Sequence, residues 1–301
     1  MLDCLHDGAA DRARSPRDQD DFPAKINHAW VISGILETMS SIQPVCLITG
    51  ASAGIGAALA HIFARHGHTV ALAARSKPQL DELATAIAAM GHIHPHVIAV
   101  DLGTADGTRQ LAEILASRGL EPAYVINNAG FGLLGEAATL DRERQLAMID
   151  LNVRAVTDLS LRFIASVKKY RGGILNVASI AAFIPGPGMA VYHATKSYVL
   201  SFTEALHYEL AGEGVQVCAL CPGPVPTEFF NRAGIPRDYI PSFLGRSVSR
   251  VAQGGYRGLM GKQSVIVPGK PNLVFTLLVK LLPRAWSLAF MQRRWNRLRA
   301  N

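Results

Sequence analysis

Tyr192 and Lys196 stand four residues apart in the segment YHATK, and this spacing has a chemical use. On a helix it places both side chains on one face, one turn apart. A phenol has a pKa of about 10 and exchanges protons poorly near neutral pH, but a nearby ammonium group stabilises the phenolate and lowers that pKa. The pair therefore predicts a tyrosine that works as a general acid or base. The alternative, a helix start with a solvated lysine, is favoured for this pattern on its own.

Ser179 could bring a hydroxyl group to the same place. It lies thirteen residues before Tyr192, and an apolar loop with the sequence PGPG at residues 185–188 separates the two. If this loop folds back, the hydroxyl group comes to lie beside the phenol. The three side chains then form a candidate site for proton transfer.

The surrounding chain alternates between apolar runs and amphipathic runs. Strands are predicted within the segments VCLITG, HTVALAAR, IHPHVIAVD, AYVINNAG, GGILNVAS and VQVCALCPG. Helices are predicted for GIGAALAHIFARHG and for residues 78–90, 104–118, 140–169 and 190–213. This alternation predicts an α/β fold with a doubly wound parallel sheet in a single three-layer domain, with ligands bound at the carboxyl ends of the strands.

A glycine-rich turn follows the first predicted strand. Thr49, Gly50, Gly54 and Gly56 give the pattern T-G-x-x-x-G-x-G. Glycines let the backbone approach a pyrophosphate closely, and the next helix offers free N–H groups and the positive end of its dipole. The spacing departs from G-x-G-x-x-G and is a weak signal alone, but the strand before it and the helix after it supply the expected context.

Six stretches together resemble the short-chain dehydrogenase/reductase family, in its compact single-domain subclass. They are TGASAGIG, NNAG at residues 127–130, Asn152 within LNV, Ser179, YHATK and PGPVPTEF. The match runs from about residue 45 to residue 268 and keeps the family's order. The resemblance implies a Rossmann fold and a nicotinamide-dependent oxidoreductase with the catalytic residues Asn152, Ser179, Tyr192 and Lys196.

The same resemblance implies a role for each of these residues. Ser179 orients the substrate oxygen, and Tyr192 delivers a proton to that oxygen as hydride arrives on the carbon. Lys196 lowers the pKa of Tyr192 and holds the nicotinamide ribose. Asn152 anchors a water molecule that continues the proton relay to solvent.

The end of the second predicted strand bears on the choice of cofactor. It reads ALAARSK, with Ala74 where NAD-binding proteins usually place an acidic residue, and Arg75 directly after it. A guanidinium suits bidentate contact with a 2′-phosphate, which predicts NADP(H); the alternative is a surface arginine that opens a loop. By resemblance, Asp101 meets the adenine and Asn128 lies along the ribose. The predicted cofactor-binding set is Gly50, Ser52, Gly54, Ile55, Gly56, Arg75, Asp101, Asn128, Tyr192, Lys196, Pro222, Gly223, Val225 and Thr227.

The segment after Cys221 is long and rich in proline and glycine, as functional loops often are. In the family this segment covers the substrate, although it could equally be a lid that packs on its own core. Its predicted apolar inner face consists of Phe229, Phe230, Ile235, Tyr239, Ile240, Phe243 and Leu244.

The predicted function is hydride transfer between NADP(H) and an apolar carbonyl or alcohol substrate. Two alternatives stay open: an NAD-dependent alcohol dehydrogenase of the same fold, and a non-catalytic regulator that senses nucleotides. The intact set of four catalytic residues counts against the regulator. These motifs specify neither the substrate nor the physiological direction of the reaction.

The chain has a net charge of +7, and much of the excess lies near its end, at Arg284, Arg293, Arg294, Arg297 and Arg299. Because the basicity is mostly a property of this tail, we expect no nucleic-acid partner. The partner we expect is a small-molecule carbonyl or alcohol, with the chain assembled as a homo-oligomer.

Four cysteines, at positions 4, 46, 218 and 221, are too few for a disulfide framework, so we expect a reducing, cytoplasmic location. Cys218 and Cys221 form a C-x-x-C pattern within an apolar strand, where residues three apart point to opposite faces. We interpret them as core residues, and His92, His94 and His96 as strand-edge residues. No metal site is predicted.

Residues 1–43 mix acids and arginines without any period and are predicted to be a disordered leader, with Met39 as an alternative initiator. Residues 44–270 form the predicted domain, and residues 271–301 a basic amphipathic tail. Charges and a proline interrupt the tail too early for a transmembrane helix. It is either a peripheral anchor on a membrane surface or a helix packed on a neighbouring subunit or over the substrate lid.

Overall fold

The computed structural model describes residues 42–236 and 244–300. Residues 1–41, which make up most of the predicted leader, lie outside these ranges. So do Tyr239, Ile240 and Phe243 of the predicted substrate loop. The described residues belong to one compact unit of the chain.

Seven parallel strands form a single sheet. They are β1 (Gln43–Thr49), β2 (Val70–Ala74), β3 (His96–Ala99), β4 (Leu120–Asn127), β5 (Gly173–Val177), β6 (Gln216–Leu220) and β7 (Val265–Ile266). Their order in the sheet is β3-β2-β1-β4-β5-β6-β7. The order reverses direction between β1 and β4, and in such sheets the strand ends leave a crevice at the reversal. The first six strands overlap the predicted segments, although β1 and β4 begin before theirs, at Gln43 and Leu120. β7 has only two residues and was not predicted.

Helices connect the strands and cover both faces of the sheet. They are α1 (Gly54–Arg65), α2 (Lys77–Ala89), α3 (Gly107–Ser117), α4 (Arg142–Ile149), α5 (Val156–Arg162), α6 (Ile164–Lys169), α7 (Ala190–Glu209), α8 (Glu228–Ala233), α9 (Val248–Met260), α10 (Lys270–Leu281) and α11 (Arg284–Ala300). Within the two described ranges, no helix combines the length and apolar character needed to cross a bilayer.

The helix predicted over residues 140–169 is interrupted in the structure. Between α4 and α5 the chain forms a π-helical segment, Asp150–Ala155, and α6 follows after a further break. A π-helical turn adds a residue to the local helical repeat, which shifts the faces that follow. Hydrophobic periodicity alone does not reveal such a shift.

The sheet separates two apolar cores. In β1, Cys46 and Ile48 point into the core covered by α1, α2 and α9, while Val45 and Leu47 point into the core covered by α3, α5 and α7. This alternation follows from the two-residue period of a strand. The predicted three-layer, doubly wound fold is therefore confirmed.

The cysteines singled out in the sequence lie in the apolar cores, whereas of the three histidines only His96 lies on a strand, and His92 and His94 precede β3. Cys218 and Cys221 are both buried, in two different apolar clusters. Burial raises the pKa of each thiol to about 12, so both stay protonated at neutral pH. His96 lies on the edge strand β3 with its Nε2 3.2 Å from Gln43 Oε1. The interpretation of Cys218 and Cys221 as core residues is confirmed.

A buried network of polar side chains joins β4 and β5 to α5 and α7. The Asn127 amide donates to Ser160 Oγ at 3.0 Å and to Asn176 Oδ1 at 2.8 Å. The Asn176 amide donates in turn to Thr203 Oγ1 at 3.0 Å. The network fixes α7, which carries Tyr192, against the centre of the sheet.

We expect Asn176→Ala to lower the free energy of unfolding by about 1–3 kcal/mol, because it leaves buried polar partners unpaired. Urea denaturation would measure the change. Asn296→Ala is the matched control, since this asparagine is exposed on α11, and its effect should stay within about 0.5 kcal/mol. Equal stabilities for the two variants would contradict a stabilising role for the network.

Candidate active site

A cavity of about 780 Å³ lies at the carboxyl ends of the central strands. Most of the predicted site residues line it: Gly50, Ser52, Gly54, Ile55, Arg75, Asp101, Asn128, Ser179, Tyr192, Lys196, Pro222, Gly223, Val225 and Thr227. Of the predicted set, Gly56 and Asn152 do not reach the surface of the cavity and lie behind its wall. The structure thus brings residues from distant parts of the chain into one place.

The glycine-rich turn is tightly built where β1 passes into α1. Gly50 has a φ of +62°, a left-handed conformation that favours glycine. A Cβ atom on Gly56 would lie 2.4 Å from the Gly50 carbonyl oxygen and 2.5 Å from Asn128 Nδ2. The first turn of α1 can therefore approach the end of β1 only if residue 56 has no side chain.

Thr49 and Asn128 join the ends of β1 and β4 across the reversal in strand order. Thr49 Oγ1 accepts hydrogen bonds from the backbone N–H groups of Asn128 and Ala129, at 3.0 and 3.1 Å. Asn128 Nδ2 donates to the carbonyl oxygens of Thr49 and Gly50, at 3.0 and 3.1 Å. Asn128 thus supports the turn from behind as well as lining the cavity. The sequence analysis did not give this role to either residue.

Tyr192 and Lys196 share one buried face of α7, as their spacing predicts. The Lys196 ammonium donates to the Val177 carbonyl at 2.7 Å and lies 6.0 Å from the centre of the Tyr192 ring. Burial raises the pKa of Tyr192 to about 12, against a smaller opposing effect from the Ser179 side chain. Burial also lowers the pKa of Lys196 to about 8.

The direction of the tyrosine shift differs from the sequence-based expectation. The spacing predicts that the ammonium lowers the pKa of Tyr192, but loss of hydration is the larger effect because the phenol is buried. Near neutral pH the phenol therefore keeps its proton, while Lys196 is mostly charged. Burial makes the phenol a weaker acid, but it keeps the proton that donation requires, and the ammonium can stabilise the phenolate that donation leaves behind.

Ser179 follows the end of β5 and lies in the cavity wall. Its hydroxyl group accepts a hydrogen bond from the Ala181 N–H at 3.1 Å, which caps the short 3₁₀ helix Ile180–Phe183. The cap uses the oxygen as an acceptor and fixes it next to Tyr192, with which the Ser179 side chain also forms a hydrogen bond. From this place in the wall, the hydroxyl group can donate a hydrogen bond to an oxygen atom in the cavity.

Asn152 sits in the π-helical segment and is fully buried. Its amide donates to the Phe131 carbonyl at 2.9 Å and to Thr195 Oγ1 at 3.1 Å, and its Oδ1 accepts from the Phe131 N–H at 3.1 Å. A Cβ atom on Gly130 would lie 2.9 Å from Asn152 Oδ1 and 3.5 Å from Lys196 Nζ. Asn152 thus positions the NNAG turn against α7 instead of facing the cavity.

His193 is a lining residue that the sequence analysis missed. Its Nδ1 lies 2.6 Å from the Ile184 carbonyl oxygen, and its ring fills the space beside Gly186. Burial lowers the pKa of His193, against smaller opposing effects from backbone hydrogen bonds, so the ring is neutral at pH 7. It ties the loop at residues 185–188 to α7. The only feature of the sequence that could have indicated His193 is that it directly follows Tyr192.

Another part of the cavity wall is apolar and contains residues of the predicted tail. α8 and the segments beside it contribute Phe229, Phe230, Ile235 and Leu244, and α10 and α11 contribute Phe275, Phe290, Met291 and Arg294. Trp295 is buried against Gly188, where a Cβ atom would lie 2.2 Å from the indole ring. Arg299 forms an ion pair with Glu136. The two last helices therefore pack over the cavity, which agrees with the alternative of a tail helix over the substrate lid, although none of their residues was in the predicted site.

Residues 44–236 match the family model described as short chain dehydrogenase. The chain belongs to this family. It is 35% identical over 185 residues to a sulfoacetaldehyde reductase of Chromohalobacter salexigens, a match that covers 60% of this chain and 72% of that protein.

Two solved structures extend the comparison. One is a short-chain dehydrogenase from Sphingobium yanoikuyae in complex with NADPH, with 30% identity, a TM-score of 0.69 and coverage of 80% of this chain and 97% of that one. The other is a 3-ketoacyl-(acyl-carrier-protein) reductase from Brucella melitensis complexed with NADH, with 29% identity, a TM-score of 0.65 and coverage of 75% and 96%. This short-chain dehydrogenase is thus an oxidoreductase whose relatives differ in both substrate and cofactor.

Gly56→Ala should destabilise this short-chain dehydrogenase by about 1–3 kcal/mol, because the added methyl group meets the backbone of Gly50. Thermal unfolding would measure the loss. Gly212→Ala is the control, because a Cβ atom there meets nothing within 4 Å. If both variants melted at the wild-type temperature, the close approach of α1 to β1 would have no energetic consequence.

Proposed function

We propose that this enzyme reduces an apolar carbonyl compound with NADPH, and that Tyr192 donates the proton. The observation that carries the proposal is the buried, protonated phenol of Tyr192 in the wall of a cavity that has a glycine-rich turn on one side and aromatic side chains on the other. The Tyr192 and Phe229 rings lie 5.5 Å apart, so the proton donor borders the apolar half directly.

The glycine-rich side of the cavity suits a dinucleotide. The first N–H groups of α1 have no side-chain cap, because Ala53 occupies the N-cap position. Free N–H groups and the positive end of a helix dipole favour a pyrophosphate at this place. When bound there, NADPH supplies the hydride for reduction.

The preference for NADPH over NADH rests on the end of β2. Ala74 lines the cavity without offering a carboxylate, and Arg75 follows it at the exposed rim. Ser76 then leads into α2 and makes no side-chain cap, so the first N–H groups of that helix add to the attraction for an anion. An arginine beside a helix N-terminus favours a 2′-phosphate over a 2′-hydroxyl group.

Three side chains of this chain then handle the substrate oxygen. Ser179 donates a hydrogen bond that orients it, and the Tyr192 hydroxyl group transfers its proton to it as negative charge develops. Lys196, held by the Val177 carbonyl, stabilises the phenolate that remains. Asn152 does not contact the substrate oxygen. Its hydrogen bonds to the Phe131 backbone and to Thr195 hold that backbone against α7.

The protonation state of Tyr192 near neutral pH is the one that reduction needs, not the one that alcohol oxidation needs. Oxidation requires Tyr192 to accept a proton as a base, and its raised pKa opposes ionisation of the phenol. The aromatic and aliphatic side chains of the apolar wall favour an apolar substrate, because removing these side chains from water lowers the free energy of the complex.

Tyr192→Phe should lower kcat by about 10²–10⁴-fold while cofactor affinity changes by less than about threefold, because the variant loses only the acidic hydroxyl group. NADPH oxidation would be followed with a panel of aldehydes, ketones and lipid-like acyl carbonyls. Tyr198→Phe is the control on the same helix, since that hydroxyl group bonds Thr157 at 3.0 Å, away from the cavity. Turnover by Tyr192→Phe at the control rate would remove the proposed proton donor.

Arg75→Ala should weaken NADPH binding by at least about tenfold and change NADH binding by less than about threefold, because the guanidinium meets only the 2′-phosphate. Titration of cofactor fluorescence would give both dissociation constants. Arg142→Ala removes an equal charge from a side chain that is 83% exposed on α4, and it should alter neither constant. Equal losses for the two cofactors in Arg75→Ala would refute the assignment.

A further inference from the structure

Helix α10 buries two polar side chains and exposes most of its apolar ones. Asn272 and Thr276 are buried, whereas Leu277, Leu278 and Leu281 are 52%, 55% and 82% exposed. A helix on the surface of a globular protein normally buries its apolar stripe. We call the exposed apolar residues of α10 and α11 the outer face; they are Leu273, Val274, Leu277, Leu278, Leu281, Trp286, Leu288 and Phe290.

Contacts on the inner side hold α10 in this orientation. The Asn272 amide donates to the Pro268 carbonyl at 2.8 Å, and its side chain fills the space above Gly223, where a Cβ atom would lie 2.5 Å away. The Lys280 ammonium lies 5.1 Å from the centre of the Phe183 ring. Since these contacts connect α10 to the cavity wall, the outer face is fixed toward the outside.

The charge of the same segment has a single sign. Residues 270–301 carry no acidic residue, and their basic residues equal the whole net charge of +7 of the chain. These basic residues are Lys270, Lys280, Arg284, Arg293, Arg294, Arg297 and Arg299. Arg299 pairs with Glu136 and Arg294 lines the cavity, so the exposed cations that can meet an anionic surface are Lys270, Lys280, Arg284, Arg293 and Arg297. Apolar side chains, an exposed tryptophan and such cations are the combination that binds an anionic lipid surface.

A second copy of this chain fits the outer face less well. In a two-fold contact the same patch meets itself, so two segments of one charge sign would face each other. Like charges brought together in this way repel, whereas anionic lipid headgroups offer the opposite sign. The charge of the segment therefore selects lipid over self-association.

We propose that the outer face of α10 and α11 is a docking surface for an anionic lipid bilayer. Phe290 is 53% exposed and also lines the cavity, so docking brings the rim of the cavity to the lipid. A carbonyl compound dissolved in the bilayer would then reach Tyr192 without crossing water. This last consequence rests on the proposed function, but the docking itself does not.

The test is flotation of the full-length protein with vesicles of phosphatidylcholine alone or mixed with phosphatidylglycerol. We expect several-fold more protein to float with the anionic vesicles, and added salt to reduce the difference because it screens the basic residues. The double variant Leu277→Glu/Leu281→Glu should lose at least about tenfold of this binding, because two carboxylates then replace apolar contacts with lipid.

The matched control is Met90→Glu/Tyr208→Glu, which adds the same two charges at positions that are 64% and 75% exposed outside α10 and α11. It should bind anionic vesicles like the wild type, and circular dichroism would show that both double variants are folded. Tyr192→Phe should also bind like the wild type, so a failure of the proposed chemistry leaves this test intact.

Two outcomes would overturn the proposal. One is that the full-length protein does not float with anionic vesicles. The other is that both double variants lose binding equally, which would make the effect one of total charge. If the wild type fails to bind and light scattering shows a smaller mass for Leu277→Glu/Leu281→Glu, the outer face is a contact between subunits instead.

Discussion

The hydrogen bond from the Lys196 ammonium to the Val177 carbonyl joins the buried face of α7 to the end of β5. A charged group is costly to bury, and this cost is visible in the pKa of Lys196, which burial lowers to about 8. The hydrogen bond to the Val177 carbonyl offsets part of this cost. It also holds the ammonium one helical turn from the phenol of Tyr192. Every other part of the site is arranged around these two side chains: Ser179 follows the same strand, and Asn152 bonds Thr195 on the same helix.

A second constraint is the reversal in strand order between β1 and β4. Both strands end at the cavity, and they need a common support there because the chain leaves them in different directions. Thr49 and Asn128 provide that support through hydrogen bonds to each other's backbone. The same bonds hold Gly50 in place, and Gly56 lets α1 start against it. The dinucleotide side of the cavity and the proton-transfer side are thus fixed by different contacts.

The sequence predicted the parts of the molecule that depend on local pattern. The strands from β1 to β6 are mostly apolar runs, and Tyr192 and Lys196 share a helix face because of their spacing. The family was recognisable from six short motifs and is confirmed. The direction of the Tyr192 pKa shift could not be predicted in this way, because it depends on how deeply the fold buries the phenol. The π-helical segment around Asn152 and the contact of Trp295 with Gly188 also depend on packing between distant residues.

The two last helices carry part of the apolar cavity wall on one side and the outer face on the other. Their inner residues Phe275 and Met291 line the cavity, and their outer residues Leu278 and Leu281 face away from it. An apolar cavity wall alone would favour any apolar carbonyl compound that diffuses in water. Because the same helices also expose an apolar, basic outer face, the proposed docking would let substrates be selected at the entrance of the cavity as well as by its wall. Substitutions on the two sides of α10 therefore separate access to the cavity from recognition within it.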